Sequence, residues 1–137
     1  GHDSGLPVDL PVNIQRMGWS SDRNAMFASA SLWLVPSLWA EPFGRVSIEA
    51  QAAERAVLVA DHGGLPETVT DAQFRLAGFD PDRWVNRIRH LLQLPPEELV
   101  RNGALIRDKF SSMAHDAVID NAVSKILATP RGLRHAV

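Results

Sequence analysis

The chain alternates short, continuous apolar runs with segments whose apolar residues recur at helical spacing. Three apolar runs predict β-strands: Val12 to Met17, Leu32 to Val35 and Ala56 to Ala60. The last two are uninterrupted by polar residues, which is typical of strands that are covered on both faces, as in a parallel sheet. The pattern therefore favours a parallel sheet.

Helical segments separate the predicted strands. The Ser-Ser-Asp run at 20–22 is typical of a helix cap, and Met26, Phe27 and Ala30 follow it on one helix face. Val46 to Ala53 is also helical in composition. A fourth strand, Phe74 to Ala77, is predicted to be shorter.

The C-terminal part, residues 80–137, is predicted to be mainly helical. Its apolar spacing and capping residues place three helices there, over Asp80 to Gln93, after Pro95-Pro96, and after Ser111 or Ser112. Strands joined by single helices need right-handed crossovers, so the expected fold is an open parallel α/β sheet. Such sheets hold ligands at the carboxyl ends of their strands.

Composition narrows the class of protein. The 137 residues, 45% hydrophobic and 22% charged, predict a single domain over 1–137, and a net charge of −2 makes nucleic acid an unexpected partner. There is no cysteine, and the five histidines lack ligand spacing, so no metal site is expected. The apolar stretch Leu32 to Ala40 is too short for a membrane span, and we expect a soluble, cytoplasmic protein. Residues 1–5 are interpreted as a tag remnant or linker.

Residues 41–49, EPFGRVSIE, carry the candidate chemistry. They follow the strand Leu32 to Val35 and enter a helix near Arg45, so they lie where an open α/β sheet binds its ligand. The carboxylates of Glu41 and Glu49 can accept hydrogen bonds from sugar hydroxyls. The backbone N–H groups of Gly44 and Arg45 begin a helix and can receive a phosphate. Together these groups predict a site for a nucleotide-sugar.

The stretch LVPSLWAEPFGRVSIEAQAAERAVLVADHGGLPETV, residues 34–69, resembles the C-terminal, donor-binding domain of GT-B glycosyltransferases, in particular the retaining glycosyltransferase family 4. The match includes Pro36-Ser37, the two glutamates seven residues apart around Pro-Phe-Gly, and the run GGLPE. The resemblance implies a Rossmann-like open parallel sheet, forming part of the C-terminal domain of a GT-B fold. It also implies transfer of a sugar from a nucleotide-sugar to an acceptor, with no cofactor or metal.

The same resemblance implies roles for individual residues. Glu41 would be the catalytic residue and contact the hydroxyls of the donor sugar. Backbone amides of Phe43, Gly44 and Arg45 would bind the sugar and diphosphate, and Glu49 would hold the ribose. Two further residues, Gly63 and Gly64, would shape the neighbouring loop and count among the substrate-binding positions.

The chain departs from the family pattern in two ways. Glu54 and Ala56 stand where a glycine and a proline are usual, and Glu54 predicts a costlier helix end, by on the order of 1 kcal/mol. The strand and helix that carry a phosphate-gripping arginine and lysine are expected upstream of this chain, together with an N-terminal acceptor-binding domain. We expect the truncated sheet edge to favour self-association, and the isolated chain to be inactive. Peripheral membrane contact of the longer enzyme stays open.

Several residues also have a purely structural interpretation. Glu49 could simply pair with Arg45 one turn earlier, and Glu67 fits a helix start. His62 is interpreted as an exposed loop residue, Trp33 as part of the core, and Trp39 as a residue that could line the crevice. Two alternatives to the enzyme interpretation remain. One is a catalytically inactive nucleotide-sugar binding module, modestly supported by Glu54 and by the shortened segment DAQFRLAG after the glycines. The other is a domain that uses the fold only as a scaffold.

Overall fold

A computed structural model describes residues 11–111 of the chain. Two short 3-10 turns, Leu65–Thr68 and Ala72–Phe74, accompany the regular elements. In chain order these elements are α1 (Arg23–Ala28), β1 (Leu32–Val35), α2 (Arg45–Ala52), β2 (Ala56–Ala60), β3 (Arg75–Leu76), α3 (Pro81–Leu91) and α4 (Pro96–Lys109).

The strands form a three-stranded parallel sheet in the order β1-β2-β3. Leu32 pairs with Ala56 at the start of β1, and Val59 pairs with Arg75 at the end of β2. All five residues of the central strand β2 are buried, as expected for a continuous apolar strand between two layers of helices. This confirms the predicted Rossmann-like open parallel sheet flanked by helices.

Side-chain caps define where the predicted helices start. Asp22 accepts a hydrogen bond from the backbone N–H of Ala25 at 3.0 Å and begins α1. Asp80 caps α3 in the same way, with a proline at the first helical position. The helix predicted over residues 20–30 ends at Ala28, so Ala30 lies outside it.

One predicted strand was wrong. Residues Val12 to Met17 form no strand, and every residue from 11 to 19 is exposed. A strand needs a neighbour to accept its backbone hydrogen bonds, and within residues 11–111 no strand lies beside this segment. The strand predicted at Phe74 to Ala77 exists but shrinks to Arg75 and Leu76, because a 3-10 turn occupies Phe74.

The core lies on both faces of β2. Leu58 and Val59 are fully buried, and Phe27 of α1 and Leu91 of α3 pack into the same apolar cluster. The helix α4 packs against α2, where the α-carbon of Gly103 lies so close that an added β-carbon would be 2.8 Å from the carbonyl oxygen of Gln51. This contact holds α4 beside the helix that begins at the candidate site.

The two helices predicted over residues 80–110 are confirmed as α3 and α4. The third helix, predicted after Ser111 or Ser112, and the proposed tag remnant at 1–5 lie outside the described residues. Within residues 11–111, no helix combines the length and the apolar character needed to cross a membrane.

Candidate functional site

Two loops meet at the carboxyl ends of β1 and β2. The backbone N–H of Gly64 donates to the carbonyl oxygen of Glu41 at 2.7 Å, which joins the loop after β2 to the loop after β1. A β-carbon on Gly63 would lie 2.7 Å from the backbone N and O atoms of Glu41, and one on Gly64 would lie still closer to the backbone of Pro42. The close approach of the two loops therefore requires glycine at both positions, because a larger residue would overlap the backbone of the first loop.

Gly44 is the point at which the loop turns into α2. It is buried, has a φ of +79°, and caps the helix without any side-chain hydrogen bond. A β-carbon there would also lie 2.5 Å from Cδ2 of Leu65. The first N–H groups of α2 therefore have no side-chain acceptor at Gly44, and they are oriented to donate to an anion.

Glu41 is half-buried in the loop between β1 and α2. Its Oε1 accepts a hydrogen bond from the hydroxyl of Ser37, which follows β1 by two residues. This bond fixes one carboxylate oxygen against the loop, and the second oxygen can accept a hydrogen bond from a ligand.

Glu49 lies in the second turn of α2 and contacts two arginines. Nη1 of Arg23, from the start of α1, is 2.9 Å from Glu49 Oε1, and Nη2 of Arg45 is 3.3 Å from the same oxygen. The pairing with Arg45 is the structural alternative expected from the sequence, while Arg23 was missed. Arg23 and Glu49 also line a common cleft between α1 and α2, whose floor includes Phe27.

Phe43 packs against α4. Its ring meets that of Phe110 edge to face, with 5.3 Å between centroids and 83° between planes, yet 41% of Phe43 remains exposed. Lys109 lies over the Phe110 ring, and its Nζ donates to the carbonyl oxygen of Glu67 at 2.8 Å. The end of α4 thus supports both loops of the candidate site.

A buried polar network fixes α2 to the loop after β2. The side-chain amide of Gln51 donates to the carbonyl oxygen of Thr68 at 2.8 Å, and the Thr68 hydroxyl donates to Ser47 Oγ at 2.8 Å. Asn102 of α4 donates to Gln51 Oε1 and accepts from the backbone N–H of Thr70 at 2.7 Å. These buried polar groups have partners, as burial requires.

The remaining predicted positions have simpler surroundings. Trp33 packs edge to face on Phe27, with 5.0 Å between centroids, and its indole N–H donates to the Phe27 carbonyl, so it belongs to the core. Trp39 is 62% exposed beside the site loop, and His62 is exposed after β2. Glu67 lies in the first turn of a 3-10 helix, as its structural interpretation predicted.

Sequence reasoning missed Arg23 and the network around Gln51. Both leave a signal in the sequence. Arg23 is a cation in the first turn of a helix, where the macrodipole disfavours it. Gln51 lies four residues after Ser47 on α2, a spacing that brings both side chains to one face.

Among residues 11–111, no three His, Cys, Asp or Glu side chains lie close enough together to hold a metal ion. The site is therefore built from two carboxylates, arginines, an open helix start and glycine-lined loops. This set lies at the carboxyl end of an open parallel sheet, where folds of this kind hold their ligands.

The model of the family described as glycosyl transferases group 1 matches residues 8–105, and the chain belongs to this family. Similar relatives are the proteins named D-inositol 3-phosphate glycosyltransferase of Mycobacterium bovis (strain BCG / Pasteur 1173P2) and Mycobacterium tuberculosis (strain ATCC 25177 / H37Ra). Each is 40% identical over 76 residues, which is 54% of this chain and 16% of the relative. The aligned part thus covers a small share of each relative's length.

Proposed function

We propose that this chain is the donor-binding part of a retaining glycosyltransferase of family 4, which binds a nucleotide-sugar and transfers the sugar to an acceptor. The observation that carries the proposal is the open start of α2 at Gly44, flanked by Glu41 before it and Glu49 after it. Family membership and the names of the relatives support sugar transfer in general.

The start of α2 suits a diphosphate. The backbone N–H groups after Gly44 carry the positive end of the helix dipole. Arg45 adds a cation whose side chain is 77% exposed. A cation in the first turn of a helix is unfavourable in isolation, and an anion bound there offsets this cost. We therefore assign the diphosphate to the amides of Phe43, Gly44 and Arg45.

The two glutamates suit the hydroxyl-bearing parts of the same ligand. Glu41 lies in the loop, with one oxygen bound to Ser37, and its other oxygen is assigned to hydroxyls of the donor sugar. Glu49 lies further along α2 and is assigned to the ribose. Charge-assisted hydrogen bonds of this kind contribute about 1.5 to 3 kcal/mol each.

The assignments define what these residues do during transfer. In a retaining reaction without a protein nucleophile, the bond from the anomeric carbon to the diphosphate oxygen breaks. The acceptor oxygen then bonds to the same face of that carbon, and its proton passes to the departing diphosphate oxygen. The departing diphosphate gains negative charge, and the amides at the start of α2 stabilise it. The acceptor is assigned to a separate, N-terminal domain, and no metal or cofactor is required.

One argument for the alternative, a catalytically inactive binding module, no longer holds. Glu54, the departure that favoured it, has a φ of +59° and occupies the left-handed position usually taken by glycine. The backbone N–H groups of Glu54 and Arg55 donate to the carbonyls of Gln51 and Ala50, the two bonds of a Schellman helix end. The substitution therefore preserves the backbone that follows α2, and it gives no reason for loss of activity.

The experiment is a titration of the ¹⁵N-labelled chain with a panel of nucleoside diphosphates and their sugar conjugates, followed by amide NMR. We expect the largest shifts at Gly44, Arg45, Gly63 and Gly64. Inorganic sulfate at equal ionic strength controls for simple anion binding. Saturable shifts confined to another part of the chain, or none at millimolar nucleotide, contradict the proposal.

A further inference from the structure

Arg23 reaches Glu49 from a different helix, 26 positions away in the sequence. Its Nη1 lies 2.9 Å from Glu49 Oε1, whereas the Arg45 contact to that oxygen is longer, at 3.3 Å. Both arginines contact Oε1, and within residues 11–111 no hydrogen bond is made to Oε2. One oxygen of the carboxylate is therefore held, and the other is available.

We propose that Arg23 is a positioning residue of the nucleotide site: it holds Glu49 by Oε1 so that Oε2 accepts the ribose hydroxyls. This inference rests on the proposed function, because it needs Glu49 to bind a ribose. It adds a residue of α1 to a site otherwise built from the loops after β1 and β2 and from α2.

The helix that carries Arg23 does not explain its presence. α1 has six residues, Asp22 caps it, and Arg23 occupies its first position, where a cation opposes the helix dipole. The carboxylate of Glu49, which accepts a hydrogen bond from the Arg23 guanidinium, offsets the cost of that placement. Oδ1 of Asp22 accepts from the backbone N–H of Ala25 as the helix cap, while the Arg23 guanidinium donates to Glu49.

Arg45 alone serves less well as the holder of Glu49. It precedes Glu49 by four residues on one helix, the order that stabilises such pairs least, and its side chain is 77% exposed. The proposed function also assigns Arg45 to the phosphate end of the ligand. When Arg45 turns toward a bound diphosphate, Arg23 remains as the cation that orients Glu49.

The simpler interpretation is a surface ion pair with no bearing on the ligand. The Arg23 side chain is 64% exposed and that of Glu49 32% exposed, and exposed pairs contribute little to stability. The two interpretations differ in what they predict for ligands. A positioning role affects ligands that contain ribose, whereas a surface pair affects none.

The test compares two probes by calorimetry on the full chain: a nucleoside diphosphate, which has a ribose, and inorganic pyrophosphate, which has none. We expect Arg23→Ala to weaken nucleoside diphosphate binding about two- to fivefold, the range of an exposed charged contact, and to leave pyrophosphate binding unchanged. Arg23→Lys should recover part of the loss. Arg89→Ala, an exposed arginine of α3, controls for the change in net charge.

A double-variant cycle completes the test. If Arg23 acts through Glu49, the variant carrying both Arg23→Ala and Glu49→Gln should bind nucleoside diphosphate no more weakly than Glu49→Gln alone. Equal losses for both probes, or additive losses in the double variant, would overturn the inference and leave the proposed function standing. Failure of the unmodified chain to bind nucleoside diphosphate would overturn the proposed function itself.

Discussion

Gly64 lies so close to Pro42 that no side chain fits between them: an ideal β-carbon on Gly64 would stand 2.4 Å from the carbonyl oxygen of Pro42. The atom in the way belongs to the backbone of the loop after β1, and it cannot move without moving Glu41 and Phe43. The two loops therefore keep their contact only while residue 64 is glycine. The geometry of the site thus depends on the absence of a β-carbon at residue 64.

Gly64→Ala should consequently destabilise the fold and weaken nucleotide binding together. Overpacking of this kind typically costs about 1 to 3 kcal/mol, measurable by urea unfolding. The matched control is Gly18→Ala, because no heavy atom lies within 4 Å of a β-carbon placed on Gly18. Unchanged stability and unchanged amide shifts in Gly64→Ala would show that the loops do not depend on this contact.

The second prediction concerns Glu41. Glu41→Gln should weaken binding of a nucleotide-sugar about fivefold, since a neutral acceptor replaces a charged one at a cost of roughly 1 kcal/mol. Binding of the bare nucleoside diphosphate should be nearly unchanged, because it has no sugar to contact. Calorimetry with both ligands measures the difference, and Glu97→Gln on the exposed first turn of α4 is the control. Equal losses for the two ligands would contradict the division of roles between Glu41 and Glu49.

The parts of the fold that could be predicted from the sequence are those whose apolar pattern is complete within one short segment. The boundaries of β1 and β2 agree with the apolar runs Leu32 to Val35 and Ala56 to Ala60. Coverage on both faces is confirmed for β2, whose five residues are all buried, but was wrong for β1, where only Val35 is buried and Leu34 is 42% exposed. α2 starts at Arg45, which confirms the helix start predicted near that residue, since Gly44 supplies the cap. Val12 to Met17 has apolar residues but no neighbouring strand among the described residues, and a strand depends on its neighbour.

The candidate site likewise has parts that could be predicted from the sequence and parts that could not. The loop from Glu41 to Gly44 could be located, because position after a parallel strand predicts a ligand site. The contacts that complete the site join residues far apart in sequence, such as Arg23 with Glu49 or Asn102 with Gln51. Spacing and periodicity can mark one member of such a pair but not its partner, since the packing of whole helices decides which side chains meet.

The third prediction follows from the helix end at Glu54. Glu54 has a left-handed backbone, which costs a non-glycine residue about 1 to 2 kcal/mol, and glycine at this position removes that strain. Glycine also raises the conformational entropy of the unfolded chain, which is a smaller, opposing effect. Glu54→Gly should therefore raise the free energy of unfolding by on the order of 0.5 kcal/mol. Glu54→Ala keeps the strain and loses only the exposed contact to Arg107 at 3.3 Å, so its stability should stay near that of the unmodified chain.

Chemical denaturation measures whether Glu54→Gly is more stable than Glu54→Ala. Nucleotide titration should give the same affinity for both variants. A destabilised Glu54→Gly would show that the pair with Arg107 outweighs the backbone strain.

The fourth prediction concerns Asn102, the member of the buried network that α4 contributes. Asn102→Ala removes the donor to Gln51 Oε1 and the acceptor for the backbone N–H of Thr70. Gln51 is buried, and leaving a buried group such as its Oε1 without a partner typically costs about 1 to 3 kcal/mol. Asn86→Ala, on the exposed face of α3, is the control and should change stability little. Thermal unfolding with an Asn102→Ala midpoint equal to that of Asn86→Ala would mean that water replaces the lost bonds.

The last prediction is that the 137-residue chain alone binds a nucleotide-sugar weakly and transfers no sugar. Transfer requires the acceptor hydroxyl to be held against the anomeric carbon, and such orientation supplies up to roughly 7 to 11 kcal/mol of a reaction barrier. The described residues offer one carboxylate-flanked helix start for the donor, and we assign the acceptor to a separate domain. The measurement is incubation with nucleotide-sugars and generic acceptors, with glycosylated product and donor hydrolysis followed separately. Product above the level of a Glu41→Gln, Glu49→Gln double variant would place an acceptor site within this chain, and would contradict the division of labour proposed here.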